Sequence, residues 1–376
     1  MMLSFWERES LSKYNYIIIG GGIVGCSTAY HLKRKYPKAD IAIVERGIFP
    51  SGASSKNAGF ACFGSITELV DDRKGLSENE QVALVEKRWK GLQLLQNILG
   101  NKNIGLEENG GFELIRKAEL PALEYIDHYN SLLKGIFKKD VYSLDSSLIN
   151  NFGFNKDELE TIVVNSFEGQ INTGEMIKSW WSACSELGIK FFTASEVEEI
   201  NEHDHHVSLK CKTSFDSIDL IAEKVAICTN AFAHKWLKEE DINPGRGMVM
   251  ITKPIEDLKF KGVFHYEEGY FYFRNVGNRV LIGGGRNLDK ETENTSSFGI
   301  NPKIKSSILD DLNNLILPNQ NFTIDMEWSG IMAFGRNKSP IIKKTSDRIA
   351  VGVRLGGMGV AIGTQVGEEL HHLLAD

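Results

Sequence analysis

The feature that most constrains this chain is a run of glycines near its start. Residues Tyr16 to Ile19 are apolar and lead into Gly20, Gly21, Gly22, Ile23, Val24 and Gly25, after which a helical pattern continues through Ala29 and Leu32. A GxGxxG run between a strand and a helix has a defined physical use. Gly20 permits a tight turn, Gly22 lets the backbone approach a pyrophosphate, and Gly25 allows the helix to lie close to the strand. The N–H groups opening the helix, at Ile23 and Val24, and the positive helix end then receive the phosphates. A second apolar run, Ile41 to Val44, ends in Glu45, 20 residues after Gly25, where an acid accepts the hydroxyls of an adenosine ribose. The pattern predicts an α/β dinucleotide-binding unit and does not separate FAD from NAD.

With 376 residues and 42% hydrophobic composition, the chain exceeds the size at which one core usually stops growing, so two lobes are expected. The formal charge is −7 and the basic residues are spread along the chain, which argues against a nucleic-acid partner. Cys26, Cys62, Cys184, Cys211 and Cys228 are widely spaced with no CxxC pair, so neither a disulfide framework nor a zinc site is indicated and a reducing cytoplasm fits. Glycines break the apolar stretch Tyr16 to Val24, and no segment has the length of a membrane span. The expectation is a soluble, cytoplasmic protein acting on a small molecule; oligomeric state is left open.

Beyond Glu45, the segment Ser51, Gly52, Ala53, Ser54, Ser55, Lys56, Asn57, Ala58, Gly59 and Phe60 is small and hydroxyl-rich, suited to line a phosphate and a flat ring. Here the chain resembles the D-amino-acid oxidase superfamily of flavoproteins, nearer its glycine oxidase and monomeric sarcosine oxidase branch. In that family a GAS-type segment ending in Asn-Ala-Gly follows the ribose-binding acid and runs along the pyrophosphate and flavin. Similarity continues in Glu168 to Thr173 (EGQINT), in Ala226 to Ala231 (AICTNA), and at Arg246 and Gly247. It ends in Gly352 to Gly367, where Gly356, Gly357, Met358 and Gly359 lead from an apolar strand, Ile349 to Val353, into a helix. Gly359, Gly363 and Gly367 share one helical face and permit close packing.

The resemblance implies FAD, held by Gly20, Gly22, Ile23, Val24, Gly25, Glu45, Arg46, Ala53, Ser54, Ser55, Asn57, Ala58, Gly59, Val197, Thr229, Asn230 and Gly356 to Gly359. No cysteine stands near Phe334, where covalently flavinylated relatives attach the cofactor, so binding is expected to be non-covalent. The implied fold is α/β: a Rossmann-like FAD-binding domain assembled from residues 12–78, 168–236 and 325–376, plus a smaller substrate domain with an antiparallel sheet and helices from 79–167 and 237–324.

Local patterns fill in the rest. Ser77 and Glu80 form a capping box before a helix that runs to Gly100. A helix after Thr173 carries Met176, Trp180, Cys184 and Leu187 on one face and stops at Gly188. Strands are expected over Met248–Thr252, Tyr270–Arg274 and Val280–Gly284, with a hairpin turn at Gly277 and Asn278. His203, Asp204, His205 and His206 read as a solvated hairpin rather than a metal site, and Cys62 reads as a packed thiol.

Family members oxidise a C–N bond by passing a hydride from substrate carbon to flavin N5, which leaves the protein to orient, dry and polarise the site. Strand geometry puts Tyr270, Tyr272 and Arg274 on one face, and Tyr270 aligns with a substrate-contacting tyrosine of glycine oxidases. The chain departs from the family at Trp328 to Met332. Relatives there place a carboxylate-clamping arginine where this chain has Met332, and Asn337 stands where an aspartate is usual. Either the substrate lacks a carboxylate at that point or another arginine replaces the clamp, with Arg354 and Arg336 ahead of Arg274 and Arg286. The preferred expectation is oxidation of a small amine or amino acid. The alternatives are oxidation of a 2-hydroxy acid and flavin binding without turnover.

Overall fold

In a computed structural model that describes residues 3–375, the strand Lys13–Ile19 lies inside a largely parallel sheet. Ile41–Val44 and Lys190–Phe192 follow on one side; Ser217–Ile227 and Ile349–Val353 follow on the other, with Ile341–Lys344 antiparallel at the edge. A hairpin of Glu196–Glu202 and Val207–Lys212 extends from the first half of Ser217–Ile227. The turn of that hairpin holds the histidines at 203, 205 and 206. Alternate residues of the central strands enter opposite cores: Ile18 and Ile43 meet the helices, whereas Ile17, Ile19 and Val44 meet Val197, Val207 and Leu209 of the hairpin. Burial on both faces explains why Ile41–Val44 is wholly apolar.

Helices Ile23–Lys35, Thr173–Glu186 and Gly359–Ala375 pack on one face, joined by Glu78–Leu99. The glycine stripe of the last helix works as its spacing predicts. A Cβ at Gly363 would lie 2.8 Å from the Ile23 side chain, and one at Gly367 would lie 2.5 Å from Ser27 Cβ. The helix Glu78–Leu99 has the expected capping box of Ser77 and Glu80 and ends at Gly100 with φ +82°. It bridges the two lobes: Val85 joins a core with Ile115, Tyr142 and Val163 of the second sheet. Leu84, Leu92, Leu95 and Leu99 join the core beside Val360 and Ile362, because Gly91 lets the two helices touch; a Cβ there would be 2.1 Å from the Ala361 carbonyl oxygen.

The second sheet runs Ile324–Phe334, Asn243–Thr252, Arg279–Gly284, Phe271–Val276, Val263–Tyr266, Gly111–Ile115, Thr161–Asn165 and Tyr142–Leu144. All neighbours are antiparallel except Val263–Tyr266 with Gly111–Ile115. Its core is aromatic: Phe264 and Phe273 stack at 4.6 Å with planes 7° apart, amid Phe154 and Phe260. The expected strand from Met248 begins earlier, at Asn243. The turn-like segment Asn243–Gly247 is drawn into the ladder by pairing with Ile324–Phe334, a long-range partner that local composition does not reveal. That same pairing puts residues 325–334 in the second sheet, not in the parallel one where the 325–376 stretch had them; residue 376 lies outside the described residues. Gly91→Val forces the two helices apart and lowers stability by about 1–3 kcal/mol, which thermal unfolding of purified protein measures directly.

Candidate active site

The glycine loop is built around one close approach. Gly20 has φ +108°, and the space its Cβ would take is filled by the Cys228 carbonyl at 2.8 Å. A Cβ at Gly25 would meet the Gly20 carbonyl oxygen at 1.9 Å, so the helix sits on the turn itself. Gly22 caps the helix without a side chain, and the Ile23 N–H donates to Ser54 Oγ at 3.1 Å. Trp181, which sequence patterns did not single out, braces the loop by donating from Nε1 to the Gly21 carbonyl at 2.9 Å. Glu45, buried at the end of its strand, accepts the N–H groups of Gly21 and Gly47 at 3.0 Å and the Ser51 hydroxyl at 3.1 Å. Arg46 stacks 3.8 Å from the Phe232 ring.

These groups open onto a cavity of about 1210 Å³. Of the residues expected at the cofactor, Gly20, Gly22, Ile23, Val24, Glu45, Arg46, Ala53, Ser54, Asn57, Ala58, Gly59, Val197, Thr229, Asn230 and Gly356 to Gly359 line it. Gly25 and Ser55 do not. Gly25 is a packing position, and the Ser55 hydroxyl turns away to donate to the Pro50 carbonyl. Asn57 folds the segment: its amide donates to Ala53 and Ser54 carbonyls, and Oδ1 accepts from the Gly59 N–H at 2.8 Å and the Thr173 hydroxyl at 3.1 Å. Among the described residues, the buried Thr229 hydroxyl on this wall has no hydrogen-bond partner. Gly356 and Gly357, at φ +57° and +84°, turn the chain so that the N-terminus of Gly359–Ala375 faces the cavity.

Tyr270, Tyr272 and Met332 also line the cavity, and Met332 lies beside the glycine turn, its sulfur 3.8 Å from where a Cβ at Gly357 would stand. Tyr272 packs edge-on to Phe60 at 5.4 Å, and burial pushes its pKa up to about 12. Tyr270 precedes the strand, and its hydroxyl accepts from Lys290 Nζ at 3.2 Å. Arg354 was expected to bind substrate and does not reach the cavity wall. Its backbone sits at φ +66°, and its guanidinium is consumed by the Ser339 carbonyl (2.9 Å), Asn337 Oδ1 (2.8 Å) and Asp241 (3.2 Å). Asn337, the other departure from the family pattern, thus helps lock this arginine in place. Arg274 is likewise off the wall, donating to the Ile171 carbonyl at 3.1 Å, with burial pushing its pKa down to about 10.

Arg286 and Arg336 do line the cavity. Arg336 is exposed, whereas Arg286 lies over the Phe334 ring at 4.5 Å and has no carboxylate within ion-pair distance among the described residues. Both Arg286 and Met332 rest on positions cleared by glycine. A Cβ at Gly245 would be 2.9 Å from Arg286 Nε, and one at Gly247 would be 2.8 Å from Met332 Cε. Positions two apart on a strand are about 7 Å from each other, so Arg286 stands one pleat from Met332.

A polar wall that local sequence reading missed completes the cavity. Lys338 Nζ contacts Glu68 at 3.1 Å and Asp72 at 2.6 Å, and Arg88 approaches Glu68 at 3.6 Å. Burial opposes the charge on Glu68, but Lys338 and Arg88 outweigh it and hold its pKa below the ordinary range. His265 also lines the cavity, directly opposite Tyr272 in the strand register. Cross-strand partners share a face, so the placement of Tyr272 was the signal that would have found it.

A family model described as FAD dependent oxidoreductase matches residues 15–373. The chain belongs to this FAD-dependent oxidoreductase family. The resemblance to D-amino-acid oxidases therefore holds, and the enzyme is a flavoprotein oxidoreductase. Its fold matches that of glycine oxidase from Geobacillus kaustophilus with a TM-score of 0.76 at 19% identity, covering 97% of this chain and 95% of that one. L-proline dehydrogenase from P. horikoshii matches with a TM-score of 0.76 at 16% identity, covering 96% and 93%. Among curated proteins, mitochondrial L-2-hydroxyglutarate dehydrogenase of Caenorhabditis elegans is 22% identical over 329 residues, 81% of this chain and 70% of the relative. Among the described residues, no helix is long and apolar enough to cross a membrane, and no His, Cys, Asp and Glu group is arranged to hold a metal.

The residues present fit FAD. The turn at Gly20 to Gly25 leaves room only for backbone, the helix at Gly22 has no capping side chain, and Thr229 offers a buried hydroxyl without a partner among the described residues. The Gly22 and Val24 N–H groups, Ser54 and Thr229 would hold the pyrophosphate, Glu45 the ribose, and Gly356–Gly359 the flavin edge. Thr229→Val removes a hydroxyl that has no hydrogen-bond partner among the described residues; the expected outcome is FAD binding weakened by about five- to tenfold with the melting temperature of the apoprotein unchanged. Titration of apoprotein with FAD, followed by flavin fluorescence, checks the first; a thermal melt checks the second.

Proposed function

We propose that this enzyme oxidises a small, carboxylate-bearing amine or amino acid at its C–N bond, with Arg286 as the carboxylate-binding cation in place of the arginine replaced by Met332. The observation that carries this reading is the position of Arg286: on the cavity wall, one pleat from Met332, over glycine-cleared floor and without an acidic partner. Lys338 is a poorer candidate because Glu68 and Asp72 already neutralise it. A guanidinium fork bonds a carboxylate through two parallel N–H donors, and the Phe334 ring beneath it restricts its plane. FAD, when bound, supplies the two-electron acceptor. The chain supplies the rest: Tyr272, Phe60 and Met332 exclude water around the reacting carbon, and Arg286 fixes the substrate's distance from the ring-binding glycines.

Oxidation of a 2-hydroxy acid is the second reading, and the Caenorhabditis elegans relative favours it, since that protein is by name an L-2-hydroxyglutarate dehydrogenase. The same carboxylate clamp serves either substrate. Flavin binding without turnover is set aside by membership in an oxidoreductase family. The test is anaerobic mixing of the holoenzyme with glycine, sarcosine, proline, D-amino acids and 2-hydroxy acids while following flavin absorbance. Bleaching by amines with ammonia or amine release supports the first reading; bleaching only by hydroxy acids overturns it. With the substrate so found, Arg286→Met raises KM by about ten- to a hundredfold, the loss of a charged hydrogen-bond pair, with little change in kcat. An unchanged KM removes Arg286 from the role.

A further inference from the structure

His265 lines two neighbouring cavities. In front, it lines the main cavity beside Phe60 and Tyr272. Behind it, a second cavity of about 10 Å³ is bounded by Glu113, Glu168, Tyr142 and Asn165, and the buried Asn165 amide nitrogen has no hydrogen-bond partner among the described residues. The imidazole Nε2 lies 3.4 Å from Glu168 Oε2, and Nδ1 forms no hydrogen bond among the described residues. Glu168 is itself fixed, because Oε1 accepts from the Phe63 N–H at 3.0 Å and the Gly64 N–H at 3.4 Å. A histidine with one nitrogen against a pinned carboxylate, the other nitrogen without a hydrogen bond among the described residues, and a ring that lines a cavity has the construction of a general base.

We propose that His265 is the proton acceptor of this site, taking the proton from the hydroxyl or ammonium group of the bound substrate while Glu168 sets its tautomer and orientation. The inference rests on the oxidase reading above and adds to it the residue that moves the proton. The substrate O–H or N–H bond breaks, its proton forms an N–H bond at Nδ1, and the imidazolium charge is balanced across the Nε2 contact by Glu168. The electron pair of the substrate C–H bond leaves as hydride to the oxidant that the family activity supplies. Glu168 acts through His265 and is a positioning residue.

The surroundings give the pH dependence its sign. Burial opposes a charge on His265, but Glu168, then Glu113 from the adjacent strand and Glu68 from the helix Ile66–Asp72, outweigh it and raise its pKa above 6.5. Arg88 and Lys338 face Glu68 and offset part of its field, while burial pushes the nearby Cys62 thiol and Tyr142 phenol well up, so both stay neutral. The proton acceptor is the neutral imidazole, so the reductive step accelerates as pH rises through an inflection above the ordinary histidine value.

The test uses the holoenzyme with the substrate identified above. His265→Gln slows anaerobic flavin reduction near neutral pH by about a hundredfold or more and abolishes the inflection. With an amine the loss fades at high pH, where the substrate sheds its proton in solution; with a hydroxy acid it persists, because the hydroxyl does not ionise in water. Either pattern supports the proposal and also names the substrate class. A reduction rate within about threefold of wild type, with the inflection kept, overturns it. The more conservative Glu168→Gln keeps an acceptor for the Phe63 and Gly64 N–H groups and lowers the midpoint of the His265 imidazole, followed by NMR titration without turnover. An unchanged midpoint overturns the pairing even if no substrate on the panel reduces the flavin, an outcome that would count separately against the oxidase reading.

Discussion

The structure depends on the contact between Gly25 and the carbonyl of Gly20, where no side-chain carbon fits. That contact seats the first helix directly on the turn after the first strand, so its opening N–H groups and positive end point into the cavity. Other close approaches extend it. Gly363 and Gly367 let the last helix lie on the first, and Gly91 lets the long helix Glu78–Leu99 lie on the last. A stack of helices held close at glycines thus brings the C-terminal glycine turn to the same cavity as the N-terminal one, although the two are separated by most of the chain.

Glycine does a second job in the other sheet. Gly245 and Gly247 clear a floor on which Arg286 and Met332 lie side by side, so exchanging a cation for a thioether at one position need not strip the site of positive charge. The electrostatics distinguish the cations nearby. Arg354 and Lys338 are saturated by protein acceptors and hold the walls together, whereas Arg286 is not. Arg286 is half-buried and donates one N–H to Asn294 Oδ1, which leaves its charge without a carboxylate among the described residues and the rest of its donor fork open to a ligand. His265 follows the same logic with the opposite sign, since it stands beside three carboxylates, each otherwise engaged.

Much of the cofactor half was legible because its chemistry is local. The turn, the phosphate-facing helix end, the acid at the second strand and the Ser51–Gly59 loop each occupy a short stretch whose backbone needs specific residues. Capping at Ser77 and Glu80 and the stop at Gly100 were legible for the same reason. Gly25 and Ser55 lay within those motifs yet do not face the cavity, since a motif does not say which of its members pack and which touch.

The substrate half was less legible because its walls come from residues far apart in sequence. Arg354 looked exposed to ligand from its place in the glycine loop, yet Asp241 and Ser339 reach it only after folding. Arg286, Glu68, Lys338 and His265 carry no local pattern, and they converge because sheet register and helix packing bring them together. What the sequence by itself determined was the dinucleotide fold and the glycine turns that border its cavity, because backbone conformation at glycine and the polarity of a helix end are properties of short segments. Only the tertiary structure decided which charges are free and which are spent, because charge pairing depends on distances through space between distant residues.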